Sequence, residues 1–174
     1  LTDNDLYHKS EILIKDLSKL ISFKTTAENK QQIHACASYL QSLLNRLHAN
    51  VEVFPNSING TPIIKATFAA NSKSIQNTRN KKNVLIYAHY DVVPSSESDN
   101  EFQLFVKDGF LQGRGVSDNK GPIISMIHGI SELAEAQNLK NNVVFIFEGC
   151  EESGSVGFEE TLKSNPKLTQ SVDY

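Results

Sequence analysis

The sequence has few cysteines, no long apolar run and no excess of positive charge. Only two of its 174 residues are cysteines, Cys36 and Cys150, and they form neither a C-x-x-C pair nor a disulfide ladder, which favours a reducing compartment. No stretch approaches the roughly 18 consecutive apolar residues that a membrane-spanning helix requires. The net charge is −3 and the basic residues are dispersed, so no nucleic-acid-binding face is indicated. We therefore expect a soluble, cytoplasmic protein that binds neither nucleic acid nor membrane.

The chain begins with Leu1 rather than methionine, and the residues up to Tyr174 resemble the start of a strand. Both ends are therefore expected to be cuts in a longer protein, from which a targeting signal could be missing. With 39% hydrophobic and 21% charged residues, the composition is typical of a globular chain, and its length suits one domain.

Apolar residues recur at helical spacing over residues 5–21 and 30–48, which predicts two amphipathic helices. Residues 51–54 alternate in polarity, and residues 62–68 are rich in Ile, Thr and Phe, so these two segments are predicted to be paired strands. The polar segment 71–82 is predicted to be a loop.

Two unbroken apolar runs, residues 84–88 and 143–147, predict strands that are central and covered on both faces. Between them, Asp108-Gly109 predicts a hairpin turn, and residues 121–137 carry apolar side chains at helical spacing. This order of elements predicts an α/β fold with a central mixed sheet flanked by helices.

Polar side chains stand where these elements end or begin. His89 and Asp91 follow the first apolar run, Glu151 and Glu152 follow the second, and Asp118 stands immediately before the third helix. Ligands bind at the carboxyl ends of strands in open α/β sheets, and adjacent carboxylates repel each other unless a cation or a shared proton compensates. Together the three groups favour a metal site.

Each group also has an ordinary structural interpretation. His89 and Asp91 can form an isolated hydrogen-bonded pair, Asp118 can be a helix N-cap, and the two glutamates can lie in a solvated loop. The coincidence of all three at strand ends and a helix start outweighs these alternatives.

One histidine with several carboxylates suits zinc, cobalt or manganese better than it suits a thiolate site. Cys150 lies between the clusters and is predicted to be packed rather than metal-bound. The glycine-rich segment 113–121 contains Lys120 but lacks the order G-K-[ST], which excludes a nucleotide phosphate loop.

Three segments, 89–94, 113–121 and 151–155, resemble the signature blocks of the aminoacylase and carnosine dipeptidase family of metallopeptidases. The resemblance extends over residues 5–174 and implies that residues 1–174 are the N-terminal part of the catalytic domain. The lid and dimerisation domain and the C-terminal catalytic segment are expected to lie outside the sequence.

The resemblance implies a role for each candidate residue. His89 is expected to bind one zinc ion, Asp118 to bridge two, and Glu152 to bind the second. Glu151 is the implied general base, and Asp91 is implied to hold the His89 ring in place.

The resemblance further implies metal-dependent hydrolysis of a peptide or amide bond in a dipeptide or small peptide, with two zinc ions in the full-length protein and a homodimer formed through the lid domain. A further aspartate ligand and a late histidine ligand are absent, so this chain alone is expected to be inactive. The Asp118–Asn119 peptide bond is expected to be cis. Phe102 stands in the region where family members have a tryptophan and a proline.

Residues 21–25, the helix around Cys36 and residues 113–122 are also similar to those of a fungal peptidase-like subunit of a glutathione-degrading complex. That likeness implies a role in glutathione breakdown and a glutamine-amidotransferase-type partner. It leaves open an alternative in which the chain is part of a non-catalytic scaffold subunit.

Overall fold

The computed structural model describes residues 3–71, 81–94, 99–170 and 172. Its four helices are α1 (Asp3–Ile21), α2 (Lys30–Arg46), α3 (Lys120–Glu135) and α4 (Phe158–Ser164). Its six strands are β1 (Asn50–Pro55), β2 (Pro62–Phe68), β3 (Asn83–His89), β4 (Phe105–Lys107), β5 (Phe110–Gln112) and β6 (Asn142–Glu148). Short 3-10 helices lie at Asp99–Phe102, Glu151–Ser153 and Pro166–Leu168.

A four-stranded mixed sheet in the order β1-β2-β6-β3 forms the centre of the fold. β1 and β2 pair antiparallel, as do β2 and β6, whereas β3 and β6 pair parallel. The predicted α/β fold with a mixed sheet flanked by helices is therefore confirmed, including the pairing of the first two strands.

The two faces of the sheet pack against different elements. On one face, alternate residues of the strands such as Ile64 and Phe145 join the apolar sides of α1, α2 and α3 in the main core. On the other face, Ile63 and Ile146 pack with Leu168 and with residues of α4. Each fully buried aliphatic side chain contributes about 1.5–3 kcal/mol, so both layers hold the sheet in place.

The predicted hairpin turn is also confirmed. Asp108 and Gly109 have φ values of 52° and 79°, and they connect the antiparallel strands β4 and β5. Two consecutive residues with positive φ are typical of a type I′ turn, whose twist suits a tight hairpin.

The prediction that both apolar runs form central, covered strands is right for β6 and wrong for β3. Residues 143–148 of β6 are buried, whereas Val84, Leu85 and Tyr87 of β3 are 43%, 38% and 45% exposed. An apolar run indicates that a strand suits burial but does not give its position in the sheet, and among the described residues β3 pairs with β6 alone.

Parts of two predictions lie outside the described residues. Residues 72–80 of the predicted loop and residues 171, 173 and 174 of the predicted strand start are among them. Of the described helices, none combines the length and apolar character needed to cross a bilayer.

A buried carboxylate connects the three helices on the main face. Asp16 of α1 is 4% exposed and accepts hydrogen bonds from Tyr39 and Arg46 of α2 and lies 3.0 Å from Nε2 of His128 in α3. Burial raises the pKa of Asp16, but the hydrogen bonds from Arg46 and Tyr39 outweigh it, so the pKa lies below its ordinary value. Ionised Asp16 therefore stabilises the helical layer.

We expect Asp16→Asn to lower the free energy of unfolding at pH 7 by about 1–3 kcal/mol, measured on the full gene product to which this chain belongs. The reason is that an amide replaces a buried carboxylate that accepts hydrogen bonds, one of them from a charged side chain. Since the folded-state pKa is depressed, this contribution is present above about pH 4 and is lost as the pH falls through the lower folded-state pKa. Urea unfolding followed by circular dichroism at several pH values measures it.

Glu132→Gln is the matched control, because it removes the partly exposed ion pair between Lys9 and Glu132 that also joins α1 to α3. Such a pair contributes less than about 1 kcal/mol. Equal destabilisation by the two substitutions at pH 7 would contradict the role assigned to Asp16.

Candidate metal centre

The parallel pairing of β3 and β6 brings two polar strand ends together. His89 is the last residue of β3 and pairs in register with Glu148, the last residue of β6. The backbone N–H of Tyr90 donates to the Glu148 carbonyl at 2.9 Å. A Cβ at Gly149 would lie 2.6 Å from the Tyr90 ring, so a glycine is needed for the segments that follow the two strands to lie this close.

The glycine-rich loop before α3 places Asp118 at the same edge of the sheet. A Cβ at Gly121 would lie 1.9 Å from the Val116 carbonyl oxygen, so the loop closes tightly against the start of the helix only because that side chain is absent. The Asp118–Asn119 peptide bond is cis, as the resemblance implied. The alternative role of Asp118 as a helix cap is not observed, because Asn119 holds the N-cap position.

His89 lies between two carboxylates. Its Nδ1 is 3.4 Å from Asp91 Oδ1, and its Nε2 is 3.0 Å from Asp118 Oδ1. His89 and Asp91 are 6% and 1% exposed, whereas the Asp118 side chain is 71% exposed. The same nitrogen, Nδ1, lies 3.3 Å from the Asp91 backbone carbonyl oxygen. Asp91 thus holds the buried nitrogen of the ring through both its carbonyl and its carboxylate, and the other nitrogen faces the open side of the site.

Asp91 also holds the acidic turn, a contact that sequence reasoning missed. Its two carboxylate oxygens accept hydrogen bonds from the backbone N–H groups of Glu151 at 3.1 Å and Glu152 at 3.0 Å. The H-x-D spacing indicated only the contact with His89. No local sequence signal could have revealed the second contact, because it joins residues that are 60 positions apart.

All five predicted site residues lie together. One potential ligand atom each from His89, Asp118 and Glu152 lie within 4.8 Å of one another, and Glu151 Oε2 lies 3.8 Å from His89 Nε2. One imidazole nitrogen and two carboxylates at this separation could hold a metal ion, and the donor set is of the kind that zinc, cobalt and manganese accept.

The electrostatics indicate that negative charge is concentrated at this point. Burial, followed by the nearby Asp118 carboxylate, raises the pKa of Glu152. Burial lowers the pKa of His89, but hydrogen bonding and attraction from Asp91, with Asp118 and Glu151, outweigh it and raise the pKa to about 9. A divalent cation would relieve the repulsion among the carboxylates, so the residues present fit a metal ion.

A cleft of about 480 Å³ adjoins the cluster, and Asp118 and Glu152 are among the residues that line it. An ion pair between Arg114 and Glu101, with Nη2 and Oε2 2.5 Å apart, forms part of its wall. Phe105 of the hairpin supplies an apolar surface. The cleft can therefore accept a small molecule that has both polar and apolar groups.

Cys150 is packed, as predicted. It is 4% exposed, and its thiol donates to Glu148 Oε2 at 3.3 Å. The potential ligands that converge within the described residues are His89, Asp118 and Glu152, without Cys150. Burial, more than any neighbour, raises the pKa of the Cys150 thiol, so the thiol stays protonated at neutral pH.

Comparison with known proteins gives a consistent family. The model of peptidase family M20/M25/M40 matches residues 85–174, about half of the chain. The sequence is 40% identical over 177 aligned positions to the probable di- and tripeptidase DUG2 of Saccharomyces cerevisiae. That alignment covers 95% of this chain and 20% of that protein. It is 41% identical over 90 positions to the Cys-Gly metallodipeptidase DUG1 of the same yeast, covering 48% of this chain and 19% of that protein.

The fold is similar to that of human carnosine dipeptidase 1, with a TM-score of 0.81 and 26% sequence identity. The match covers 97% of this chain and 38% of that structure. The chain spans about a fifth of the length of the two yeast relatives.

We expect His89→Ala and Glu152→Gln each to weaken zinc or cobalt binding by the gene product at least tenfold, because each removes one donor from an already small set. Competition titration with a chromophoric chelator measures the affinity. Glu160→Gln, which changes an exposed glutamate on α4, is the control and should leave the affinity unchanged. Unaltered affinity in both site variants would show that the metal lies elsewhere.

Proposed function

The chain belongs to peptidase family M20/M25/M40, and we propose that, within the full gene product, it provides the metal-binding and proton-transferring part of a site that hydrolyses small peptides. The observation that carries this proposal is the convergence of His89, Asp118 and Glu152 at the carboxyl end of the parallel strands, with Glu151 beside them. The cleft that adjoins the cluster supplies a place for the substrate.

We propose zinc as the metal, with cobalt or manganese accepted by the same donors. His89 would bind through Nε2, Asp118 would contribute a carboxylate to two ions, and Glu152 would bind the second ion. When bound there, the metal supplies Lewis acidity, which polarises a carbonyl group and makes water more acidic.

Asp91 acts on the reaction through its neighbours. By facing Nδ1 of His89 at 3.4 Å, it favours the tautomer that carries its proton on Nδ1 and leaves the Nε2 lone pair free for a metal. By accepting hydrogen bonds from the backbone N–H groups of Glu151 and Glu152, it fixes the backbone positions from which their side chains extend.

Glu151 is the proposed general base. Its carboxylate lies beside His89, with Oε2 3.8 Å from Nε2, and its side chain is 42% exposed, so water can reach it. It would accept a proton from the attacking water and pass that proton to the amine that leaves, which is the exchange that amide hydrolysis requires.

The substrate class follows from the relatives and the size of the cleft. The two yeast relatives are a probable di- and tripeptidase and a Cys-Gly metallodipeptidase, and a cleft of about 480 Å³ suits a molecule of that size. We therefore propose a dipeptide or tripeptide, with Cys-Gly, the part of glutathione that remains after its γ-glutamyl group is removed, as the first candidate. The proposal includes a cytoplasmic location, where glutathione is abundant.

We expect Glu151→Gln to lower kcat for dipeptide hydrolysis by at least about 100-fold, because an amide cannot accept the proton of the attacking water. KM and the zinc content should change little, since Glu151 is not among the proposed ligands. Steady-state kinetics on the full gene product, together with metal analysis of the same samples, measure all three quantities.

Glu152→Gln is the informative comparison, because it should lose activity together with metal. If the gene product is active and Glu151→Gln retains wild-type kcat, the base has been assigned to the wrong residue. A gene product that binds zinc but cleaves none of a panel of dipeptides and tripeptides would instead favour the non-catalytic scaffold.

A further inference from the structure

A second buried carboxylate, Glu148, lies behind the acidic turn and has no part in the proposed chemistry. It is the last residue of β6 and is 0% exposed. Its Oε1 accepts hydrogen bonds from the Tyr87 hydroxyl at 2.5 Å and the Ser155 hydroxyl at 2.8 Å. Its Oε2 accepts from the Cys150 thiol at 3.3 Å. A buried carboxylate is costly unless its lone pairs are occupied, and here three uncharged donors occupy them.

Two of these donors stand at the two ends of one short turn. Cys150 precedes Glu151 and Glu152, and Ser155 follows them after two residues. The turn is closed on itself by backbone hydrogen bonds from Ser155 N to the Cys150 carbonyl at 2.9 Å and from Gly154 N to the Glu151 carbonyl at 2.8 Å. Glu148 therefore binds both ends of the segment that carries the two acidic site residues.

Ser155 has a backbone conformation that needs support. Its φ is 51°, in the left-handed region that residues other than glycine seldom adopt. The side chain is partly buried, and its hydroxyl is directed at the Glu148 carboxylate. This hydrogen bond helps to hold the residue in that conformation.

The acidic turn is thus held by carboxylates from two sides. Asp91 binds the N–H groups of Glu151 and Glu152 from the side of the metal centre, and Glu148 binds Cys150 and Ser155 from the side of the sheet. The two contacts act on different atoms of the same turn, so the loss of either should let the acidic side chains move.

We infer that Glu148 is a positioning residue, which acts through Ser155 and Cys150 to fix the turn that presents Glu151 and Glu152 to the metal centre. The inference rests on the proposed function for its effect on catalysis, but not for its effect on the turn itself. Among the described residues, Glu148 is not one of the potential ligands that converge at the metal centre, so its influence passes through the turn.

Tyr87 supplies a matched control. Its hydroxyl and that of Ser155 donate to the same oxygen of Glu148, but Tyr87 belongs to β3 and is not part of the turn. Tyr87→Phe removes the donor on β3 and leaves the hydrogen bond from Ser155 to Glu148 in place, whereas Ser155→Ala removes the donor that belongs to the turn. The phenylalanine ring keeps the packing of Tyr87 against Phe158, whose ring centroids are 5.6 Å apart.

The experiment measures hydrogen exchange at single amides of the metal-free gene product, by mass spectrometry with fragmentation. In Ser155→Ala, the amides of Glu151 and Glu152 should exchange about tenfold faster than in the wild type, because the loss of about one hydrogen bond frees the turn. In Tyr87→Phe they should change less than about twofold. Equal acceleration in both variants, or none in Ser155→Ala, overturns the inference.

A second readout connects the turn to the site. Ser155→Ala should weaken cobalt binding about tenfold and alter the visible spectrum of the bound cobalt, whereas Tyr87→Phe should retain both. Glu148→Ala should resemble Ser155→Ala; if that variant fails to fold, the other two variants still decide the question.

The two proposals fail in different ways. If the wild-type gene product hydrolyses no peptide, the proposed function is wrong. The hydrogen-exchange and cobalt measurements still test the positioning role of Glu148 in that case. If Ser155→Ala retains wild-type exchange at Glu151 and Glu152, the positioning role is wrong even when the wild type is an active peptidase.

Discussion

The candidate site depends on the contacts that the Asp91 carboxylate makes. It is almost fully buried, faces the His89 ring, and accepts the backbone N–H groups of Glu151 and Glu152. One side chain thereby connects the segment after β3 to the segment after β6. The imidazole and the acidic turn keep a fixed separation because both are bound to the same group, and a metal ion requires donors that are held in this way.

The sheet provides the rigid base for this arrangement. β6 is buried on both faces and pairs in parallel with β3, so that His89 and Glu148 lie side by side where the two strands end. Behind them, the Glu148 carboxylate accepts hydrogen bonds from other protein groups, whereas the Asp118 carboxylate is exposed to the cleft. The buried carboxylate of Glu148, which is surrounded by uncharged donors, therefore has a structural role. The carboxylate of Asp118, which lies next to solvent and other carboxylates, has a proposed chemical role.

Much of the fold could be predicted from the sequence, because long helices and strands repeat their apolar residues at regular spacing. The paired strands β1 and β2, the covered strand β6 and the type I′ hairpin follow from such local patterns. The partial exposure of β3 in the described part of the chain did not, since it depends on which elements lie beside the strand. The short helix α4, only seven residues long, offers too few turns for its periodicity to be recognised.

The five residues predicted for the candidate site lie together in the structure, but the long-range contacts that join them could not be predicted from the sequence. The five predicted residues come together because strand ends and helix starts meet at one edge of an α/β sheet. The hydrogen bonds from the acidic turn to Asp91, and those from Tyr87 and Ser155 to Glu148, join residues separated by up to 61 positions. Spacing along the chain carries no information about contacts of this kind, so only the folded structure could reveal them.

The most direct test of the central claim is anomalous diffraction at the zinc edge from crystals of the zinc-loaded gene product. We expect an anomalous peak about 2.0–2.1 Å from His89 Nε2, with carboxylate oxygens of Asp118 and Glu152 bonded to this ion or to a second ion beside it. A zinc ion bound elsewhere, with these three side chains free of metal, would contradict it.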